Sequence, residues 1–213
     1  MHPRRRQCLL ALCALLAGMC APVAGVFAQA AATTSFELSG PALLAALGAG
    51  GYILYFRHTA TDFGQNDEHM TGYEACDTQR NLTDAGRADA RAIGATLREL
   101  RIPIGAVLAS PYCRTMETAQ LMFGRALATP AVRGGTAQPD SPARYAALRD
   151  LFATKVPPGS NLVIASHGNP FRAVVGGDYL AEGEAAVIEP LGAAGFRVVA
   201  RVRKDGWKDL AAR

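Results

Sequence analysis

Arg57-His58, Ser110-Pro111-Tyr112-Cys113-Arg114 and Ser166-His167-Gly168-Asn169 are the three stretches whose side chains can do chemistry. A neutral imidazole is a competent nucleophile near pH 7. A guanidinium offers forked donors that match the oxygens of a phosphate. Two histidines and two arginines brought together would supply what phosphoryl transfer mainly needs, positioning and positive charge around the equatorial oxygens. They would do so without a cofactor. His69, the remaining histidine after residue 30, lies in a polar stretch, and the three histidines show no helical metal-ligand spacing, so no metal is expected.

Other chemistries fail on spacing. A cysteine nucleophile for phosphoryl transfer needs an arginine several residues later to close a phosphate-cradling loop. Arg114 is adjacent to Cys113, and Arg80 follows Cys76 at the wrong distance. Gly48, Gly50 and Gly51 precede an apolar run rather than follow one, unlike a dinucleotide-binding turn. No Gly-x-Ser-x-Gly elbow occurs.

The three stretches need elements to carry them. Tyr52-Ile53-Leu54-Tyr55-Phe56 is a continuous apolar run, which predicts a strand buried on both faces and ending at Arg57-His58. Runs over 105–109 and 161–165 predict strands ending just before Ser110 and Ser166, and 196–202 alternates as a last strand. Helices are predicted over 41–47, from a cap at Thr83 to about Leu100, over 115–123 and 143–152, and from Phe171 to Val175. On the second of these, Ala88, Ala92, Ile93, Ala95, Leu97 and Leu100 read as the apolar side, with Arg87, Arg91 and Arg98 toward solvent. Between Thr59 and Asn81 the chain is polar and irregular, and so long a loop in a small domain usually serves function. The class is α/β: a three-layer sandwich with a mostly parallel central sheet and helices on both faces. In such sheets ligands bind beyond the carboxyl ends of the strands, where the three stretches meet.

The start of the chain reads differently. Arg4, Arg5 and Arg6 precede a long uncharged run rich in Leu, Ala, Val and Cys that closes on Val26-Phe27-Ala28-Gln29-Ala30. A basic region, an apolar region and small residues at a cleavage spacing predict a secretory signal peptide over 1–30, with the folded domain over 31–213 and a periplasmic or secreted destination. Removing it takes three arginines from a chain of formal charge +4 and leaves roughly +1. That balance, without a basic stripe, argues against nucleic acid as a partner, and no membrane span is expected after cleavage. Of 5 cysteines, Cys8, Cys13 and Cys20 leave with the leader. Cys76 and Cys113 remain as an even pair in a disulfide-permitting compartment and are expected to bridge.

Phe56-Arg57-His58-Thr59, Leu82-Thr83-x-x-Gly86-x-x-x-Ala90, Ser110-Pro111-x-x-Arg114-x-x-x-Thr118-Ala119 and His167-Gly168 occur in this order at predicted strand ends and helix starts. Together they resemble the histidine phosphatase (phosphoglycerate mutase-like) superfamily over about Gly51 to Gly177. The resemblance implies that His58 is the nucleophile that takes the phosphoryl group. It implies that Arg57 and Arg114 clamp the phosphate oxygens and that His167 donates to the transferring group. Asn81 is expected to reach the phosphate, with Thr59 and Asn169 beside it. The implied activity is hydrolysis of a small phosphorylated substrate, with exported relatives pointing to sugar or lipopolysaccharide-core phosphates. A non-catalytic module that only binds phosphorylated ligands is the alternative.

Two positions depart from the family pattern. Thr59 stands where glycine is usual, and Asn169 stands where one branch places its acid. Asp140 lies at about the right distance to be the general acid, with Asp62, Glu182 and Glu184 as further candidates. An acid-poor site would favour substrates with good leaving groups.

Overall fold

The computed structural model describes residues 36–133 and 141–211. The leader read over 1–30 and the candidate acid Asp140 lie outside the described residues.

The apolar run before His58 forms β1 (Ile53–Arg57). Its residues Ile53, Leu54, Tyr55 and Phe56 are all fully buried. Alternation along the strand sends them to opposite faces. Leu54 and Phe56 pack with α1 (Gly40–Ala49), α2 (Asp84–Glu99) and α3 (Cys113–Phe123) in one core. Ile53 and Tyr55 pack in a second core with Leu148 and Phe152 of α4 (Ala146–Ala153) and Phe171 of α5 (Gly168–Val175). A strand covered on both faces, with a core on each, is the three-layer sandwich.

β1 pairs in parallel with β4 (Asn161–Ser166), which pairs in parallel with β2 (Ile104–Ala109). A two-residue β3 (Leu127–Ala128) extends that parallel edge. On its other side β1 pairs antiparallel with β5 (Ala185–Pro190), and β5 with β6 (Phe196–Val202). The order is β3-β2-β4-β1-β5-β6. The carboxyl ends of β1, β2 and β4 therefore lie side by side, and His58, Ser110 and His167 emerge from them as neighbours. Among the described residues no helix is long and apolar enough to cross a membrane.

The α2–α3 contact corrects one reading. Ala88 and Ala92 are exposed, and the buried side is Gly86, Ala90, Ile93, Gly94 and Leu97. Counting every alanine as apolar rotated the stripe; the glycines mark its centre, because backbone must approach backbone there. A Cβ on Gly94 would stand 2.2 Å from the Met122 carbonyl oxygen. Arg87 does not face open solvent but reaches α3, its Nε 2.7 Å from a Glu117 carboxylate oxygen.

Candidate active site

His58 leaves β1 with 2% of its surface exposed. Its backbone N–H donates to the Ser166 carbonyl, which ties the end of β1 to the end of β4. The ring Nδ1 lies 2.9 Å from the Thr59 carbonyl oxygen. A carbonyl can only accept, so Nδ1 carries the proton and Nε2 keeps the lone pair. The nitrogen left to the cavity is the nucleophilic one.

Burial is the first cause that pushes the His58 pKa down, to about 3, and the charges of Arg114, Arg57 and Arg80 add to it. His167 is lowered in the same way, by burial first and then by Arg114 and His58. Both rings are neutral at working pH, and their centroids lie 5.6 Å apart. His167 is itself fixed from three sides. Its Nε2 is 2.8 Å from Ser110 Oγ, its carbonyl accepts from Tyr55 Oη at 2.8 Å, and Tyr112 meets its ring edge-on at 5.2 Å. Ser110 thus orients a histidine rather than reacting.

These depressed values have a consequence for stability. Each histidine titrates near 6.5 when unfolded and far lower when folded, so below pH 6.5 the unfolded chain binds more protons. The contribution of both rings is complete above pH 6.5 and is lost as pH falls toward the folded values, at up to about 1.4 kcal/mol per ring per pH unit. The melting temperature without phosphate is expected to fall between pH 6.5 and 4, and less so in a His167→Gln variant. A flat melting curve over that range would contradict neutral buried rings.

The cavity beside His58 is lined by Arg57, His58, Arg80, Arg114, His167, Gly168, Asn169 and Tyr179 and has a volume of about 140 Å³. Arg57 donates from Nη1 to the Leu180 carbonyl at 2.8 Å. Arg114 donates from Nη1 to Asp67 at 3.0 Å and to the Arg80 carbonyl, and its guanidinium lies 4.4 Å from the Tyr112 ring centroid. The Nε atoms of Arg57, Arg80 and Arg114 are buried with no hydrogen-bond partner among the described residues. Three guanidiniums lining one small cavity, with no carboxylate among its lining residues, suit it to an oxyanion. The amino-terminal end of α5, where Gly168 and Asn169 meet the cavity, adds its positive dipole end. Gly168 lets the Tyr179 ring pack close, since a Cβ there would come within 2.6 Å of that ring.

Arg80 is the residue that sequence reasoning missed. It sits in the long polar loop, where an arginine looks like any solvated charge, and its place follows from how the loop is pinned. Asp67 accepts from the Arg80 backbone N–H at 2.9 Å and from Arg114 at once. Gln79, 2% exposed, donates to the Gly72 and Tyr73 carbonyls and accepts from the Cys113 N–H at the start of α3. Beside it Cys76 and Cys113 form the expected disulfide, with Cα atoms 5.7 Å apart. The loop's ends are closed by the Thr61–Leu82 bridge and by the Thr83 N–H on the Ala60 carbonyl. Gly86 permits that closure, since a Cβ would overlap the Ala60 oxygen at 2.1 Å.

Of the residues expected at the phosphate, the fold brings Arg57, His58, Arg114, His167 and Asn169 to one cavity. It does not bring Asn81 or Thr59. Asn81 points the other way, donating to the Cys76 and Gln79 carbonyls and lining a separate groove between the loop and α3. Thr59 is fully buried, with its N–H and hydroxyl directed at Thr118 Oγ1. Its φ is not in the left-handed region, so a β-branched residue is accommodated without strain.

Among the alternative acids, Glu184 is held by Arg201 through two contacts of 2.8 and 2.9 Å. Asp62 accepts from the Gly64 N–H. Glu182 takes the Thr61 hydroxyl at 2.7 Å and stands 3.7 Å from Arg57 and 3.8 Å from His58 Nδ1, so it supports the nucleophile from the Nδ1 side. None of the described carboxylates lines the cavity. No group of three or more His, Cys, Asp or Glu among the described residues could hold a metal ion.

The resemblance read from the motifs is borne out by comparison with known proteins. The model of the histidine phosphatase superfamily (branch 1) matches residues 53–135, which hold β1, the pinned loop, α2, β2 and α3. Among solved structures the chain is similar in fold to a phosphoserine phosphatase mutant from Entamoeba histolytica in complex with phosphoserine (11% identity, 73% of this chain and 98% of that chain covered, TM-score 0.51). Two others are the protein histidine phosphatase SixA complexed with tungstate (14%, 72% and 97%, 0.48) and a mycobacterial glucosyl-3-phosphoglycerate phosphatase with inorganic phosphate (16%, 75% and 99%, 0.49). No curated protein matches the chain.

Proposed function

We propose that this chain, a histidine phosphatase superfamily relative, hydrolyses phosphomonoesters in two steps through a phosphohistidine on His58. One observation carries the reading: a neutral imidazole whose Nδ1 is taken by a carbonyl lines a small cavity that three guanidiniums also line. In the first step the Nε2 lone pair forms the N–P bond while the ester P–O bond breaks. The Arg57, Arg80 and Arg114 guanidiniums and the α5 amino terminus hold the equatorial oxygens. Ser110 donating to His167 Nε2 would place the ring proton on Nδ1, from which the neutral ring donates. The leaving oxygen takes a proton from an acid or from solvent, and water then cleaves the N–P bond to give orthophosphate.

The test is phosphate release from p-nitrophenyl phosphate by the purified protein at pH 5.5 and 7.0 without added metal. Asp67 already occupies Arg114 and no described carboxylate lines the cavity, which together favour a second reading, a module that binds phosphorylated ligands without turnover. Thermal stabilisation by phosphate with no turnover would decide for that reading. A sugar or lipopolysaccharide-core phosphate, the class the resemblance suggested, remains the comparison substrate.

The leader and the cysteine pair support an exported protein. Intact-mass measurement of periplasmic material is expected to show loss of the first 30 or so residues and two bonded thiols. Reduction should then lower the melting temperature, since a crosslink spanning 37 residues is worth up to about 4 kcal/mol. Full-length cytoplasmic protein with both thiols free would remove the export reading.

A further inference from the structure

The cavity beside His58, at about 140 Å³, is far below the roughly 300–1,000 Å³ of sites that enclose a whole small molecule. It has room for the phosphoryl group, so the rest of an ester must lie against the rim. One aromatic ring lines the cavity, and a second, from another loop, stands against one of its arginines. Phe63, five residues after His58, is 70% exposed, and the Arg80 guanidinium that lines the cavity sits 4.8 Å from its ring centroid. Tyr179, from the segment between α5 and β5, lines the cavity itself, is 44% exposed and has the Arg172 guanidinium 4.8 Å from its ring.

Isolated exposed apolar residues are ordinary. These two are half of the large exposed hydrophobics among the described residues, the others being Phe36 and Leu127, and both are joined to one cavity. Each ring already has a cation beside it, which fixes the ring and leaves a flat apolar surface at the mouth. Such a surface favours another flat ring, because offset or edge contacts between aromatic systems gain beyond simple burial. A sugar ring can lay its C–H face on the same surface, but it gains no ring–ring contact, and its hydroxyls need donors and acceptors that two aromatic faces do not supply.

We propose that Phe63 and Tyr179 form a leaving-group subsite that selects small aryl phosphates, phosphomonoesters of planar aromatic alcohols, over sugar and alkyl phosphates. The proposal rests on the phosphatase reading of the same cavity and adds the substrate class. The chemistry agrees with the shape. No carboxylate among the described residues lines the cavity, and a phenol's oxygen departs with less protonation than an alkyl alcohol's.

Non-hydrolysable phosphonates read the subsite apart from turnover. Inhibition or binding constants would be measured for orthophosphate and for methyl-, cyclohexyl- and phenylphosphonate, with the parent protein and with Phe63→Ala and Tyr179→Leu. Phenylphosphonate is expected to bind at least tenfold tighter than the cyclohexyl compound, which matches it in size but not in planarity. That ratio should fall to within about threefold in either variant. A parent ratio near one, or a ratio that survives both substitutions, overturns the subsite. If orthophosphate and all three phosphonates fail to bind, the phosphate site is wrong and the subsite falls with it. That outcome is distinct from binding without discrimination.

Discussion

His58→Ala is expected to lower phosphate release at least about ten-thousandfold, the scale at which losing a covalent nucleophile leaves only the background of the remaining site. The expectation rests on more than position. The ring is 2% exposed, its Nδ1 proton is committed to the Thr59 carbonyl and burial keeps it neutral, so no titration is needed to free Nε2. Steady-state assay with p-nitrophenyl phosphate measures the loss, and acid-labile, base-stable phosphate trapped on the parent protein identifies the intermediate. Because His58 is buried, the melting temperature of the variant must be measured too. A folded variant retaining more than about 1% of parent activity would show that another group attacks phosphorus.

Arg114→Lys is the second large effect, expected to reduce kcat/KM about 10²–10³-fold, as removal of one preorganised oxyanion donor does elsewhere. The substitution keeps the charge and loses the fork. Arg114 uses one end of that fork on Asp67 and the Arg80 carbonyl, while its buried Nε has no partner among the described residues. A lysine ammonium satisfies one of these sets and not both. Loosening Asp67 also releases the Arg80 backbone, so the variant disturbs two guanidiniums with one change. Loss of less than fivefold would mean that Arg114 serves the loop and not the phosphate.

The parts of this site that sequence made legible are those set by periodicity and adjacency. A buried strand shows as a continuous apolar run, and whatever follows it must emerge at the strand end; Arg57-His58, Ser110 and Ser166-His167 were found that way. The Cys76–Cys113 bridge was legible from counting alone. β5 was not, because Ala185-Ala186-Val187-Ile188-Glu189-Pro190 mixes alanine, a charge and proline in a strand whose small side chains are buried by the two cores that sandwich the sheet. β3 is two residues long, below any pattern. The predicted helix over 143–152 starts as a 3-10 turn at Pro142–Tyr145 before α4. Arg80 lines the cavity where Asn81 was expected, because adjacent residues in a loop point apart. Which one faces the cavity is decided by Gln79 docking on α3, a contact 34 residues away in sequence.

The antiparallel pairing of β5 against β1 means that the chain enters β5 at the same edge where it leaves β1. Tyr179 therefore arrives at the mouth from a connection upstream of β5, while the histidines and two arginines are anchored at strand ends or the start of α3. The rim and the reaction centre hang from different pieces of backbone. Substitutions at the Tyr179 side chain or around Phe63 leave in place the Leu180 and Gly183 backbone contacts that hold Arg57 and His58. The side chains at the mouth are thus separable from those that would transfer phosphorus. Libraries confined to the exposed side chains at Phe63 and Tyr179 are the efficient route to new substrate preferences on this scaffold.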